Sequence, residues 1–263
     1  MSTVKATNIQ EPNSATVNMV LTTSGGVAVG QNLSVAGTTT LTGSLASTLN
    51  LVAGTTTVAP LDFASGTNLT TAIAGGVEYD GKVFYGTPQG TQRGVIPGMQ
   101  FFRLESNLAG ANVNTVQSVF GVSVTLSTST IYAFEAMYYF NKTVGATSHT
   151  LGIGYGGSAT INSILWNSVG IDGSSTLPTR STPGLGANTA VTNQTITGAT
   201  ASAAATTFAN IKGIVSINGG GTFTPQYTLS AAPGGAYSTM ANSYFLIYPI
   251  GASGSNVSVG TWA

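Results

Sequence analysis

"IYAFEAMYYF", residues 131–140, sets Tyr132, Phe134, Tyr138 and Phe140 on one side of an extended chain and Ile131, Ala133, Glu135, Met137 and Tyr139 on the other. A period of two is the signature of a strand, because successive side chains of extended backbone point to opposite faces. Both sides are apolar apart from one carboxylate. That pattern predicts an inner strand, or one lying at a subunit interface.

The same alternation extends in both directions. Upstream, "FGVSVTL" (120–126) places Phe120, Val122, Val124 and Leu126 opposite Gly121, Ser123 and Thr125. Downstream, "SHTLGIGY" (148–155) brings His149, Leu151, Ile153 and Tyr155 into register, and "IKGIVSI", "GTFTPQYTL" and "SYFLIYPI" follow. Turn residues separate them at Asp80-Gly81, Asn107, Gly145, Gly156-Gly157, residues 218–221 and Pro233-Gly234-Gly235. Strands at such intervals predict a β-sandwich of jelly-roll type over residues 76–263. Residues 167–207 hold no aromatic side chain and carry Pro178 and Pro183. This span reads as a long loop, with one short helix in 199–209.

The N-terminal part differs in kind. No aromatic residue precedes Phe63, and no charged residue stands between Pro12 and Leu61. "VAGTTT" occurs at 35–40 and again at 52–57, and the aliphatics Val27, Val29, Leu33 and Val35 are spaced for strands between glycine turns. Segments with one or two aliphatic side chains are too weak to hold a hairpin alone. Three copies wound about a shared axis would bury those side chains against one another and supply every backbone donor with a partner. The expected organisation is a docking segment at 1–30, a repetitive trimeric β shaft at 31–75, and the sandwich beyond. A flexible linker has the same Ser/Thr/Gly-rich composition and is the alternative.

Charge narrows the function classes. Seven basic and seven acidic side chains among 263 residues give a net charge of zero, where roughly a quarter of residues are charged in ordinary domains. Phosphate-neutralising side chains are too few for nucleic-acid binding. Near-zero net charge leaves nothing to keep copies apart, so self-association is expected. With no cysteine and one histidine, disulfides, thiolate metal sites and single-chain zinc sites are not expected. Residues 1–20 lack the apolar stretch of a signal peptide, and no apolar run reaches the roughly 18 residues of a spanning helix. No cofactor, bound metal or membrane insertion is expected.

Each group with possible chemistry has a structural reading beside it. His149 shares a face with Leu151 and Ile153 and reads as a packed or interface histidine. Glu78 and Asp80 share strand parity with Lys82, which suits a carboxylate pair for glycan hydrolysis, but Asp80-Gly81 also reads as a hairpin turn. Glu135, inside an aromatic strand, needs a cation, and Arg93, Arg103 or Lys142 is expected to reach it. Gly154–Gly157 and Gly219–Gly221 lack the context of a phosphate loop and read as turns. Sequons at Asn32, Asn68, Asn141, Asn193 and Asn256 are those chance gives an Asn- and Thr-rich chain. No catalytic, cofactor-binding or metal residue is assigned.

Residues 77–104, "VEYDGKVFYGTPQGTQRGVIPGMQFFRL", and 132–160, "YAFEAMYYFNKTVGATSHTLGIGYGGSAT", resemble structural proteins of tailed bacteriophages. The resemblance is carried by Tyr79-Asp80-Gly81, Phe84-Tyr85, Arg93-Gly94, Tyr132 to Glu135 and Ser148-His149-Thr150. The opening "MSTVKATNIQEPNSATVNMVLTTSGGVAVG" is similar to N-termini of fibre and decoration proteins, and "GVAVGQNLSVAGTTTLTG" to their shaft repeats. The resemblance implies a homotrimer assembled in the host cytoplasm, attached to other virion proteins, capsid or tail, through its N-terminus, with a C-terminal β domain facing outward. It carries over no catalytic residue and implies nothing for residues 166–263. A tail fibre would adhere to host surface glycan; a head fibre or decoration protein would sit on capsid subunits. The other classes are a tailspike-like depolymerase, drawing two carboxylates from Glu78, Asp80, Glu105, Glu135 and Asp172, and a bacterial adhesin module.

Overall fold

The structure, a computed structural model, describes residues 51, 53–142, 145–172, 179–180, 184–188, 193–199, 205–254, 258–260 and 262. The chain divides into two units, residues 1–61 and 62–263. The expected docking segment 1–30 and residues 31–50 and 52 of the expected shaft lie outside the described residues; residues 62–75, expected in the shaft, belong to the second unit. In the first unit, Thr55–Val58 forms a turn in which Thr55 N–H donates to Val58 O (2.9 Å) and Val58 N–H to Thr55 Oγ1 (3.1 Å).

The second unit is all-β and antiparallel, with no helix among the described residues. It begins with a three-stranded sheet, β1 (Val77–Tyr79), β2 (Phe84–Gly86) and β3 (Gly94–Ile96). Shorter strands follow: β4 (Gln100–Arg103), β5 (Leu108–Ala109), β6 (Gln117–Ser118) and β7 (Val124–Leu126). The framework is β8 (Thr130–Lys142), β9 (Leu151–Gly156) and β10 (Thr160–Asp172), then β11 (Thr179–Arg180), β12 (Gly184–Asn188) and β13 (Gln194–Thr195). It closes with β14 (Ala205–Gly219), β15 (Gly221–Leu229), β16 (Tyr237–Thr239) and β17 (Tyr244–Ala252).

β8, the strand of the opening motif, is an inner strand of the larger sheet. One edge pairs with β14 from Ala205↔Lys142 to Ser216↔Ile131, and β14 pairs in turn with β10. The other edge is shared by β17, opposite Thr130 to Met137, and β16, opposite Phe140 to Lys142. At the changeover Tyr139 N–H donates to Ser243 Oγ (2.9 Å) and Met240 N–H to Tyr139 O (2.8 Å), so the backbone between the two partners keeps its hydrogen bonds. β4 pairs with β17 and β5 with β16.

The second sheet runs β13, β9, β15, with β6 and β7 sharing the far edge of β15. Pro225 sits in β15 where β7 has left at Phe223 and β6 begins at Gln226. Its missing N–H falls in that gap, and its carbonyl accepts Val119 N–H (2.9 Å). The inner faces of the two sheets enclose one core. Tyr155 of β9 stacks on Phe223 of β15 (4.7 Å between ring centres) and meets Phe134 of β8 edge-on (5.3 Å). Each such buried ring stabilises the fold by roughly 1.5–3 kcal/mol through burial.

Several expectations are corrected. Residues 205–209, placed in a short helix, are the start of β14: Thr206, Thr207 and Phe208 favour extended chain, and the waiting edge of β8 outweighs the helix preference of the alanines. The span 167–207, read as loop, holds the end of β10, two strands folded back on β10, one paired with β9, and the start of β14. "FGVSVTL" is a strand only at 124–126. Gly121 takes a left-handed φ of 70°, so Phe120 and Leu126 are buried while Val122 is 48% exposed. The run 154–157 is a turn only at its end: Gly154 and Gly156 lie within β9, and a Cβ on Gly156 would collide with the Gln226 side chain.

Candidate functional site

The long strands β8, β14 and β10 carry apolar side chains on the face turned away from the core. On β8 these are Ile131, Ala133, Met137 and Tyr139, all half-buried. Phe208 and Ile214 extend the surface across β14, and Leu165 across β10; Leu165 is 61% and Ile214 50% exposed. Leu246 and Tyr248 of β17 continue it, and Phe101 of β4 stacks on Tyr244 with ring centres 5.5 Å apart. Around Gly213 the face dips into a hollow of about 470 Å³ bordered by Ala133, Leu165, Ile214 and Tyr248.

Charges on the described part of this face occur in pairs. Glu135 and Lys212 are cross-strand neighbours, with Lys212 Nζ 3.3 Å from Glu135 Oε1. At the β4 edge Arg103 donates to Glu105 and, at 2.6 Å, to Asn242 Oδ1. The expected ion pair of Glu135 exists, but none of Arg93, Arg103 and Lys142 forms it. The 12-residue ladder between β8 and β14 brings Lys212 there instead. The carboxylate is also not sealed in, since its side chain is 44% exposed, and an ion pair so open to water contributes little stability.

Lys142 has a different role. It is fully buried, and its ammonium donates to the carbonyls of Gly145 and Pro233. His149 is packed, as expected from its position beside Leu151 and Ile153. Its Nδ1 lies 2.7 Å from Thr147 O, a carbonyl that only accepts, so Nδ1 carries a proton, and Nε2 is hydrogen-bonded to the Tyr237 hydroxyl.

Glu78 and Asp80 are each engaged in the small sheet. Glu78 accepts Leu69 N–H (2.6 Å) and pairs with Arg93 Nε (2.8 Å) and Nη2 (3.2 Å). The Leu69 hydrogen bond above all, and then Arg93, hold its carboxyl below the usual range in spite of desolvation. Asp80 Oδ1 accepts the N–H groups of Lys82 (2.7 Å) and Val83 (2.9 Å), and Oδ2 accepts the Tyr85 hydroxyl (2.8 Å). Burial alone would raise this carboxyl, but the Val83 and Lys82 N–H groups and the Tyr85 hydroxyl outweigh it and bring it down. Burial and then Asp80 push the Tyr85 phenol up to about 12. Asp80-Gly81 forms the expected turn, with Gly81 at φ 87°. Lys82 reaches away and donates to Thr128 O (2.8 Å).

Thus three of the five carboxylates considered for hydrolysis, Glu78, Glu105 and Glu135, hold a cation, and Asp80 closes a turn. Asp172 ends β10, and its side chain lies outside what is described. No group of three His, Cys, Asp or Glu able to hold a metal occurs among the described residues. No described helix is long and apolar enough to cross a membrane. Among the sequons, Asn141 lies in β8 and Asn68 borders a cleft described below; Asn32 and Asn256 fall outside the described residues.

Sequence reasoning missed Lys212, because its place opposite Glu135 depends on a register 77 residues away. Parity within "IKGIVSI" does place Lys212 and Ile214 on one face, and that was the available signal. No family model, no curated protein and no solved structure matches this chain.

Proposed function

We propose that this chain is a structural component of a bacteriophage virion: a homotrimeric fibre, spike or capsid decoration. In this reading residues 1–30 dock on other virion proteins, the trimeric β shaft expected over 31–75 ends before Asp62, where the second unit begins, and the sandwich, of jelly-roll type, is displayed outward. The observation that carries it is the outer face of β8, β14 and β10. A face on which Leu165, Ile214 and Phe208 stand among uncharged Ser163, Asn167, Asn210 and Ser216, and whose described charges neutralise one another, suits burial against further copies of the same chain. The zero net charge favours the same association, and the phage-like segments 77–104 and 132–160 fall within this domain. The engagement of Glu78, Asp80, Glu105 and Glu135 in ion pairs and a turn supports an architectural role over a depolymerase.

Light scattering on the full-length protein at micromolar concentration tests the reading. A mass three times that of one chain is expected, with residues 20–60 resistant to protease. A monomer whose residues 20–60 are freely digested would overturn it.

A further inference from the structure

We propose that a second surface of the domain, the cleft between residues 68–72 and residues 251–254 and 258–260, binds a neutral, hydroxyl-rich ligand, an uncharged oligosaccharide. The cleft has a volume of about 720 Å³ and is walled by Asn68, Asp80, Tyr85, Thr91, Arg93 and residues 251–254 and 258–260. That size lies within the range of small-ligand sites, roughly 300–1,000 Å³.

The charge of the wall selects against anions. Arg93 is the cation there, and its Nε and Nη2 already serve Glu78 and, at 2.6 Å, Leu69 O. Glu78 behind the wall neutralises that guanidinium (2.8 Å), so the charge left over in the wall is the carboxylate of Asp80. A phosphate, sulfate or uronate entering the cleft would meet excess negative charge.

A sugar hydroxyl meets what it needs. Asp80 Oδ2 accepts one hydrogen bond, from Tyr85, and a carboxylate oxygen has room for a second. Asn68 holds an amide oxygen out of solvent with no hydrogen-bond partner among the described residues. Orphaned buried acceptors are costly, and an amide turned to meet a ligand hydroxyl removes that cost. Next to the wall residues Val259 and Gly260, Trp262 is 82% exposed, and its indole is anchored by Nε1–H donating to Val259 O (2.8 Å). A flat ring fixed at one edge and open on its face is a platform for the C–H face of a pyranose.

This inference deepens the adhesive version of the proposed function and rests on it for biological purpose, though the binding itself requires no trimer. The test uses the full chain on an array holding neutral oligosaccharides of glucose, galactose, mannose, rhamnose and N-acetylglucosamine beside sialylated, uronate-containing and phosphorylated glycans. Retention of at least one neutral oligosaccharide is expected, with binding weakened at least tenfold by Trp262→Ala at an unchanged melting temperature. Asp80→Asn, which keeps an acceptor for the turn but removes the charge, should weaken it as well. Absence of any neutral ligand, preference for anionic glycans, or binding indifferent to both variants would overturn the assignment. Light scattering on the same sample separates the two proposals: a trimer that binds no glycan overturns the cleft alone, and a glycan-binding monomer overturns the virion reading alone.

Discussion

Gly213 of β14 lies between Phe134 of β8 and Trp166 of β10 in the sheet register, and its missing side chain is what lets both neighbours pack over it. A Cβ there would strike the Phe134 ring and stand 2.6 Å from Trp166 Cβ and 2.8 Å from Leu165 O. Backbone cannot yield as a flexible side chain does, so Gly213→Ala should destabilise the domain by about 1–3 kcal/mol, the usual cost of overpacking. Thermal unfolding should show a lowered midpoint; an unchanged one would mean that the sheet absorbs the methyl group by local shift. His149 and Lys142 belong to the same scale. Each polar head is enclosed and met by fixed partners, the condition under which a polar side chain is tolerated in an interior.

The small sheet of β1, β2 and β3 is held by charge as well as by packing, the ring of Phe84 stacking on Tyr79 (4.5 Å between ring centres) and meeting Phe63 edge-on (5.8 Å). Its carboxylates Glu78 and Asp80 both titrate below their ordinary range in the folded protein. Depressed carboxyls confer stability that is complete above the unfolded value, roughly pH 4, and lost as pH falls through the folded value. Hydrogen exchange should therefore show residues 66–87 losing protection as the pH falls below roughly 4, ahead of the sandwich amides; simultaneous loss in both would contradict this. At this scale the sequence was legible where one strand's own pattern decides. β8 reads correctly from ten residues because its alternation is local, and His149 from its neighbours on the strand. It was illegible where a distant edge decides: the alanines of 205–209 read as helix until β8 is beside them, and Glu135 gave no sign that its cation would be Lys212. Gly121 misled in the opposite way, since an alternating pattern does not reveal the left-handed φ that ends it.

For the whole molecule, the proposed seam between copies is the outer face of the long strands. Ile214 is half exposed at its centre, so a charge there costs the isolated domain little but would be buried unpaired in an assembly. Ile214→Asp should retain the circular dichroism of the parent and, by light scattering, lose most of its assembled mass. Persistence of the full mass would place the seam elsewhere. The cleft has a further geometric meaning. Because residues 68–72 and 258–260 line one hollow, stretches far apart in the chain stand side by side there. A cross-link between an introduced cysteine pair, one in each stretch, would therefore tie the two sides of that hollow together without touching the sandwich strands.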